Sequence, residues 1–288
     1  MDEFKKNLRQ SPGFRFFVYV IALLVCSLIG LLLTMAFSAS TDIVMLKLGQ
    51  GVSSTMMFVV PPIILYAITR NQPIQSLGFR RPNSYWLMLI GVILMFVSLP
   101  VTNFLGTLNE KMVFVPSLKK LEALLQQLES MAGDLTERML DVDTFGGLLF
   151  NLLVIALIPA LGEELTFRGV LQQSLVRGCK NAHVGIILSA AIFSFIHFQF
   201  YGFLPRMFLG MLLGYLFYYS GSLWTSIVMH FVNNGTAVVV AYLDHKGVVN
   251  VDYEHFGSTG PVLTVASLLL TVGIIVLCAT IGKKHGRE

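Results

Sequence analysis

Two adjacent carboxylates and two imidazoles lie in stretches of this chain that are otherwise apolar. Glu163 and Glu164 close one apolar run, and the histidines His197 and His230 fall in two later ones. An ionised side chain at the bilayer centre costs about 2.5–3.5 kcal/mol on insertion scales. Carboxylates and imidazoles are also the side chains that most often transfer protons in catalysis. These residues therefore indicate proton-transfer chemistry inside a membrane.

The spacing of the charged residues predicts different surroundings for the two glutamates. Adjacent residues on a helix point about 100° apart, so Glu163 and Glu164 face different directions. Arg168 follows Glu164 by four residues, which places the two on one helix face and favours an ion pair. That pair leaves Glu163 free to face a cavity. The alternative, in which both glutamates are solvated at the membrane interface, remains open at this point.

The histidines are followed or preceded by residues that suit a binding site. Asn234 lies one helical turn after His230, so the two side chains present donors to one point, as an oxyanion requires. The alternative is that both hydrogen-bond to neighbouring helices. Phe193 lies one turn before His197 and is placed to wall its imidazole. The candidate site residues are Glu163, Glu164, Arg168, Phe193, His197, His230 and Asn234.

The composition predicts an all-α polytopic membrane protein. The chain has 288 residues, of which 55% are hydrophobic and 12% charged, whereas a soluble domain carries about 25% charged residues. The mean hydropathy is +0.74. The net charge of +4 is explained by lysine and arginine in short loops, so no nucleic-acid partner is expected. The three cysteines show neither paired nor metal-ligand spacing.

Eight apolar segments have roughly the length needed to cross a bilayer. Proline predicts a kink in the second segment, at Pro61 and Pro62, and in the fourth, at Pro159. We expect about eight transmembrane helices that enclose an intramembrane cavity within one domain, 1–288. The segments are 14–37, 51–69, 86–107, 145–167, 183–198, 203–219, 222–243 and 261–281.

Basic residues between these segments predict the topology. With eight spans, all four basic clusters fall on one side, which places both termini in the cytoplasm of a plasma (inner) membrane. The opposite side carries 109–144, an acidic segment with leucines at helical spacing. This segment lies on the outer membrane surface or packs against the bundle, and the sequence does not choose. The basic residues are Lys5, Lys6, Arg9, Arg15, Arg70, Arg80, Arg81, Arg168, Arg177, Lys180, Lys283, Lys284 and Arg287.

One consequence of this topology conflicts with a shared site. Eight straight spans place Glu163 near the cytoplasmic end of the fourth span and His197 near the outer end of the fifth. At about 1.5 Å rise per residue, the two side chains would be several turns apart. A shared site requires the fifth span to begin below the membrane surface, or the fourth and fifth spans to be tilted or broken.

Three motifs of the chain resemble those of the CAAX-protease and bacteriocin-processing (CPBP) family, whose members are intramembrane endopeptidases. The family motifs run Glu-Glu-x-x-x-Arg, Phe-x-x-x-His and His-x-x-x-Asn/Asp. Here they are intact and in order at 163–168, 193–197 and 230–234. The resemblance is strong over 145–240, which we expect to be the catalytic core, and looser in the N-terminal half.

The resemblance implies roles for the site residues. Glu163 would be the general base that activates water, helped by His197. His230 and Asn234 would bind the oxyanion, and Glu164 would support the site through Arg168. The substrate would be a peptide or membrane protein, cleaved without a serine or cysteine nucleophile. The sequence gives no indication of an oligomeric state.

Two alternatives remain open beside these roles. Glu163, His197 and His230 have the ligand types of a catalytic zinc site, although metal-free catalysis is favoured because Asn234 suits a donor better than a zinc ligand. The second alternative is that the protein is not a protease but a non-catalytic membrane scaffold, or a bacteriocin-immunity protein of the same fold. A proton-coupled transporter is disfavoured, because no internal repeat is present.

Overall fold

The regular structure of the described chain is helical. The structure is a computed structural model that describes residues 11–38, 40, 42–69, 74–249 and 260–285, and these contain no β-strand. The predicted all-α class is therefore confirmed. The helices are α1 (Pro12–Ser38), α2 (Ile43–Phe58), α3 (Val60–Thr69), α4 (Trp86–Glu110), α5 (Lys119–Leu140), α6 (Phe145–Cys179), α7 (Ala182–Phe195), α8 (Phe203–Ser220), α9 (Leu223–His245) and α10 (Pro261–His285).

Seven helical segments of the described chain are long and apolar enough to cross a bilayer. They are α1, the continuous stretch of α2 and α3, α4, α6, α8, α9 and α10. Helix α7 is apolar but has only 14 residues, or about 21 Å at 1.5 Å per residue, which is shorter than the ~30 Å hydrocarbon core. All eight predicted apolar segments are therefore helical, but α7 is too short to cross the bilayer alone.

Helix α6 is longer than the predicted fourth span and winds irregularly. It continues from Phe145 to Cys179 over 35 residues, and its winding widens to π-helical turns at Leu152–Leu157 and Phe167–Gln172. Between these turns lies the α-helical segment Ile158–Thr166, which carries Pro159 in its first turn. Such π-helical turns are frequent at functional sites. The segment with both glutamates is thus bounded on each side by a change of helical winding.

The interpretation of Arg168 as a charge that follows the fourth span is wrong. Arg168 lies inside α6 and is 1% exposed. Hydropathy ends the span at this residue because it scores an isolated charge and contains no information on partners inside the bundle. Further along α6, Gln172 is also buried, and its Nε2 donates to the carbonyl oxygen of Gly214 at 3.0 Å.

The turn between α6 and α7 brings the first two motifs to the same depth. Lys180 adopts a left-handed conformation (φ 52°). The side chain of Asn181 caps α7 by accepting hydrogen bonds from the backbone N–H groups of His183 and Val184. Glu163 lies sixteen residues before the end of α6, and His197 lies fifteen residues after the start of α7. Helix α7 packs against the second half of α6, so the conflict between the depths of Glu163 and His197 disappears.

The remaining helices enclose this pair. Helix α9 packs along α6 from its first π-helical turn to the two glutamates, and α8 packs against α7, α4 and α9. Helices α1 and α2 pack together, and α2 also contacts α6. Helices α1 and α10 expose many large apolar side chains, as lipid-facing helices do. The three motifs therefore face the interior of the bundle.

Helix α5 lies at the edge of the bundle with its leucine stripe uncovered. Only Met139 of this helix is buried, while Leu121, Leu124 and Leu128 are exposed. Glu129 attaches the helix to the connection between α7 and α8, since its Oε2 accepts from the backbone N–H of Tyr201 at 3.2 Å. The expected amphipathic helix is present, and its apolar stripe is not buried by the described helices.

The two prolines of the second predicted segment lie beside a break in the helix. The helical path is interrupted at Val59, just before Pro61 and Pro62, where α2 ends and α3 begins.

Some of the basic residues used to predict topology lie outside the described residues, namely Lys5, Lys6, Arg9, Arg70 and Arg287. The orientation of the termini stays a prediction.

Candidate active site

Glu164 lies at the centre of a fully buried polar network. Its Oε1 accepts a hydrogen bond from Arg168 Nη1 at 2.7 Å and another from His230 Nδ1 at 2.9 Å. Arg168 Nη2 donates to the carbonyl oxygen of Gly210 at 2.8 Å. Glu164 is 0% exposed. We call Glu164, Arg168 and His230 the inner cluster, and because a carboxylate only accepts, its geometry places a proton on His230 Nδ1.

The glycines of α8 let this network form. A Cβ at Gly210 would lie 3.1 Å from the Cβ of Ala190, and one at Gly214 would lie 2.7 Å from Gln172 Oε1. Both separations are tighter than ordinary contacts, so glycine allows α8 to approach α6 and α7 closely. The close approach brings the carbonyl oxygens of Gly210 and Gly214 within reach of Arg168 and Gln172.

Glu163 lies on the other side of the same imidazole. Its Oε2 is 3.7 Å from His230 Nε2, and the residue is 8% exposed. His230 therefore lies between the two glutamates, with one ring nitrogen directed to each. Unlike Glu164, Glu163 accepts no hydrogen bond shorter than 3.5 Å from any described residue. The predicted separation of the glutamates into a paired and a free carboxylate is present in the structure.

Phe193 joins the two histidines. Its ring centroid is 5.0 Å from that of His197 and 6.1 Å from that of His230, with edge-to-face geometry in both pairs. The guanidinium carbon of Arg168 lies 5.0 Å from the same centroid, a cation–π contact. Phe193 is buried. One aromatic ring therefore fixes the positions of both imidazoles and of the inner arginine.

His197 is held as a hydrogen-bond acceptor. Its Nδ1 lies 2.8 Å from the carbonyl oxygen of Phe193, so Nδ1 carries the proton and Nε2 keeps its lone pair. His197 follows the end of α7, outside the helical spans, and is partly exposed. Burial of the imidazole, and to a smaller extent the nearby Arg206 cation, lowers the pKa of His197 to about 3. The imidazole is therefore neutral at neutral pH.

Asn234 lies one turn after His230 on α9, and within the described residues its side chain forms no hydrogen bond with the side chains of the inner cluster. Its Oδ1 accepts a hydrogen bond from Asn233 Nδ2 at 2.9 Å. This bond leaves the Nδ2 group of Asn234 as the available donor. The structure thus brings Glu163, Glu164, Arg168, Phe193, His197 and His230 into one connected group. Asn234 is placed beside that group through its position on α9.

One charged residue near the site was not predicted. Arg206 of α8 donates from Nη2 to Gln199 Oε1 at 2.8 Å, two residues beyond His197. Its guanidinium interacts electrostatically with Glu163 and with Glu129 of α5. The only sequence signal was an isolated arginine early in an apolar span, and no motif contains it. Because an isolated charge in an apolar span is costly, Arg206 is as informative about a functional site as the two glutamates are.

The spacing of the carboxylates and imidazoles argues against a zinc site. Within the described parts of the chain, no three histidine, cysteine, aspartate or glutamate side chains are close enough together to hold a metal ion. Glu163 and His230 are neighbours, whereas His197 is linked to His230 through the ring of Phe193, which contacts both imidazoles. The three residues considered as zinc ligands do not fit a metal in this arrangement, and no step below depends on one.

These observations define a polytopic all-α membrane protein with a carboxylate–imidazole site inside the bundle. Residues 145–236 match the family model described as Rce1-like, type II CAAX prenyl endopeptidase. The matched segment contains all three motifs and agrees with the resemblance seen in the sequence; at the level of that family it supports a protease-type membrane enzyme. No curated protein and no solved structure matches the chain.

Proposed function

We propose that this protein is an intramembrane endopeptidase of the CAAX type, which hydrolyses a peptide bond of a membrane-associated protein or peptide with water activated by Glu163. The observation that carries the proposal is the unequal environment of the two glutamates around His230. Glu164 has its charge matched by Arg168 and its oxygen hydrogen-bonded twice over. Among the described residues no donor lies within hydrogen-bond distance of Glu163, so Glu163 is the carboxylate with capacity to take a proton.

The charges of the cluster determine how His230 acts. Arg168 balances Glu164, and the Arg206 guanidinium interacts electrostatically with Glu163. A cation closer to Glu163 would stabilise its ionised form further, because a poorly compensated charge in a buried site is costly. A proton on His230 Nε2, 3.7 Å from Glu163 Oε2, supplies that cation. His230 then has an N–H on each side, one directed to Glu164 and one to the reaction. That second N–H is a donor suited to a developing oxyanion.

The reaction follows from these donors and acceptors. A water held by Glu163 and by the Nε2 lone pair of His197 gives a proton to Glu163, and its oxygen bonds to the carbonyl carbon of the peptide. The carbonyl oxygen becomes an oxyanion that accepts from His230 Nε2–H and Asn234 Nδ2–H. The carbon–nitrogen bond then breaks, and the proton on Glu163 passes to the leaving amine. The products are a new carboxylate and a new amino terminus.

We assign the chemistry to 145–240 as the catalytic core of a single membrane domain, 1–288. The basic residues Arg15, Arg80 and Lys283 favour a cytoplasmic location for both termini in a plasma membrane, which requires that α7 and the connection after it together make an eighth crossing. The substrate is a peptide that reaches the site from the bilayer, since the motif residues lie inside the bundle.

The test compares peptide termini in membranes from cells that carry wild-type protein, Glu163→Ala or His230→Ala. Termini that appear with the wild type and are lost in both variants identify the substrate and its cleavage site. Glu122→Ala on the exposed helix α5 is the matched control and is expected to retain cleavage. If both site variants cut as well as the wild type, the protein is not this enzyme. A scaffold or immunity protein would keep its cellular phenotype in Glu163→Ala.

A further inference from the structure

A second cavity lies where α1 begins and α6 ends, separate from the two histidines of the active site. It has a volume of about 800 Å³. Three arginines from different parts of the chain line it: Arg15 of α1, Arg80 of the connection before α4, and Arg177 of α6. Gly169 and Val170 of α6 line it as well, and they directly follow Arg168. The cavity therefore adjoins the helix that carries the inner cluster.

The positive charge of this cavity is not compensated by the protein. Its described lining contains no aspartate or glutamate, and none of its three arginines forms a salt bridge within the described residues. Arg15 and Arg177 repel each other electrostatically. Arg80 is held in place because its Nε–H donates to the carbonyl oxygen of Gly221. A bound anion would relieve the repulsion between Arg15 and Arg177.

The rest of the cavity wall is apolar. Phe16 of α1, Leu65 of α3 and Leu175 of α6 line it, and Phe16 is also exposed toward the surroundings of the bundle. A small inorganic anion needs no such wall, because it has no apolar part to bury. An amphiphile with an anionic headgroup and hydrocarbon chains matches both halves of the cavity. Basic pockets between transmembrane helices on the cytoplasmic side commonly bind phospholipid headgroups.

We propose that this cavity binds the phosphate of an anionic phospholipid between Arg15, Arg80 and Arg177, with its acyl chains along Phe16 and Leu65. The predicted topology places these arginines on the cytoplasmic side, where anionic lipids are concentrated. The bound lipid would connect the start of α1 to the end of α6. Its binding is independent of whether the protein cuts peptides.

The experiment measures lipid binding to the purified full-length protein in a neutral detergent, by native mass spectrometry over a lipid titration. The probes are phosphatidylglycerol, phosphatidylcholine with the same acyl chains, and inorganic phosphate. Phosphatidylglycerol is expected to bind at one saturable site, at least about fivefold more tightly than phosphatidylcholine. Each arginine near the membrane surface contributes roughly a fivefold change in affinity, so Arg15→Gln/Arg177→Gln is expected to weaken binding more than tenfold.

The matched control removes two charges from the same end of the bundle without touching the cavity. Arg81 and Lys180 are exposed neighbours of Arg80 and Arg177 and do not line the cavity. Arg81→Gln/Lys180→Gln is therefore expected to bind phosphatidylglycerol like the wild type. Arg15→Lys/Arg177→Lys keeps both charges and is expected to retain binding, which separates loss of charge from loss of folding.

Three results would overturn the proposal. Equal affinity for phosphatidylglycerol and phosphatidylcholine would show that the headgroup charge is not recognised. An equal loss of binding in the two glutamine double variants would show a diffuse surface charge rather than a site. Inorganic phosphate that binds as tightly as phosphatidylglycerol would show that the ligand is a free phosphate and not a lipid.

Discussion

Glu163 and Glu164 are neighbours in the chain, yet the regions around them differ in almost every respect. On the side of the inner cluster, Glu164 accepts two charge-assisted hydrogen bonds, and its arginine reaches a backbone carbonyl. On the other side, Glu163 faces His230 at 3.7 Å and retains some exposure. Charge-assisted hydrogen bonds in a buried network fix its geometry, whereas a carboxylate with few donors can still exchange a proton. The contrast supports the proposal that Glu164 holds the inner cluster together and that Glu163 carries the chemistry.

The largest expected effect comes from breaking the inner cluster. Glu164→Ala leaves the Arg168 guanidinium buried without its carboxylate, and removing one partner of a buried pair costs about 3–5 kcal/mol. We expect a loss of that size in the free energy of unfolding, measured in mixed micelles. The double variant Glu164→Leu/Arg168→Met removes both charges and is expected to recover much of the stability without activity. A single variant as stable as the wild type would show that the network is not structural.

A smaller effect is expected from Asn234, on the open side of His230. Asn234→Ala removes one proposed oxyanion donor, and the loss of such a donor typically lowers kcat by about 10²–10³-fold. The free energy of unfolding is expected to change little, because Asn234 makes no bond to the inner cluster. Asn233→Ala is the matched control, one residue away. Equal kcat values in the two variants would remove Asn234 from the proposed mechanism.

Phe193 is the residue through which the two regions are coupled. Phe193→Leu removes its ring contacts with both histidines and its cation–π contact with Arg168, which is worth about 0.5–2 kcal/mol. We expect a loss of stability in that range together with a reduced kcat, because both imidazoles lose their lateral support. Phe195→Leu on the exposed face of α7 is the matched control. Activity and stability that fall together only in Phe193→Leu would sharpen the comparison, and unchanged activity would argue against coupling.

An effect confined to acid pH concerns the stability of the fold. The pKa of His197 is about 3 in the folded protein, whereas a solvated histidine titrates near 6.5. The unfolded chain therefore binds an extra proton between these values, and stability is lost as the pH falls from about 6.5 toward 3. His197→Gln is expected to reduce this dependence, as measured by unfolding at pH 7 and pH 4. The same pH dependence in both proteins would contradict the neutral state assigned to His197.

The motif residues and the helical class were accessible from the sequence because hydropathy and helical spacing carry that information. The ion pair of Glu164 and Arg168 follows from a separation of four residues, and it is present. The position at which α6 ends could not be predicted from the sequence. Arg168 and Gln172 look like the limit of a span, but each has a carbonyl partner on α8, and only tertiary structure provides those partners.

The same cause explains the depth of the active site and the missed arginine. Ending the fourth span at 167 made Glu163 terminal, whereas twelve further residues of α6 place it well inside the bundle. The shortness of α7 then brings His197 to the same level. Arg206 belongs to no motif, and its relation to Glu163 depends on how α8 packs against its neighbours. Contacts between helices are the part that local sequence patterns do not encode.

The most direct test of the account uses Glu163→Gln, which keeps the shape of the side chain and removes its ability to accept a proton. Purified wild-type protein and this variant are compared for turnover of an identified substrate peptide and for thermal unfolding. We predict that Glu163→Gln unfolds close to the wild-type temperature and that its kcat falls by about 10²–10⁴-fold, the usual contribution of a general base. A folded Glu163→Gln protein that cleaves the peptide at the wild-type rate would contradict the central claim.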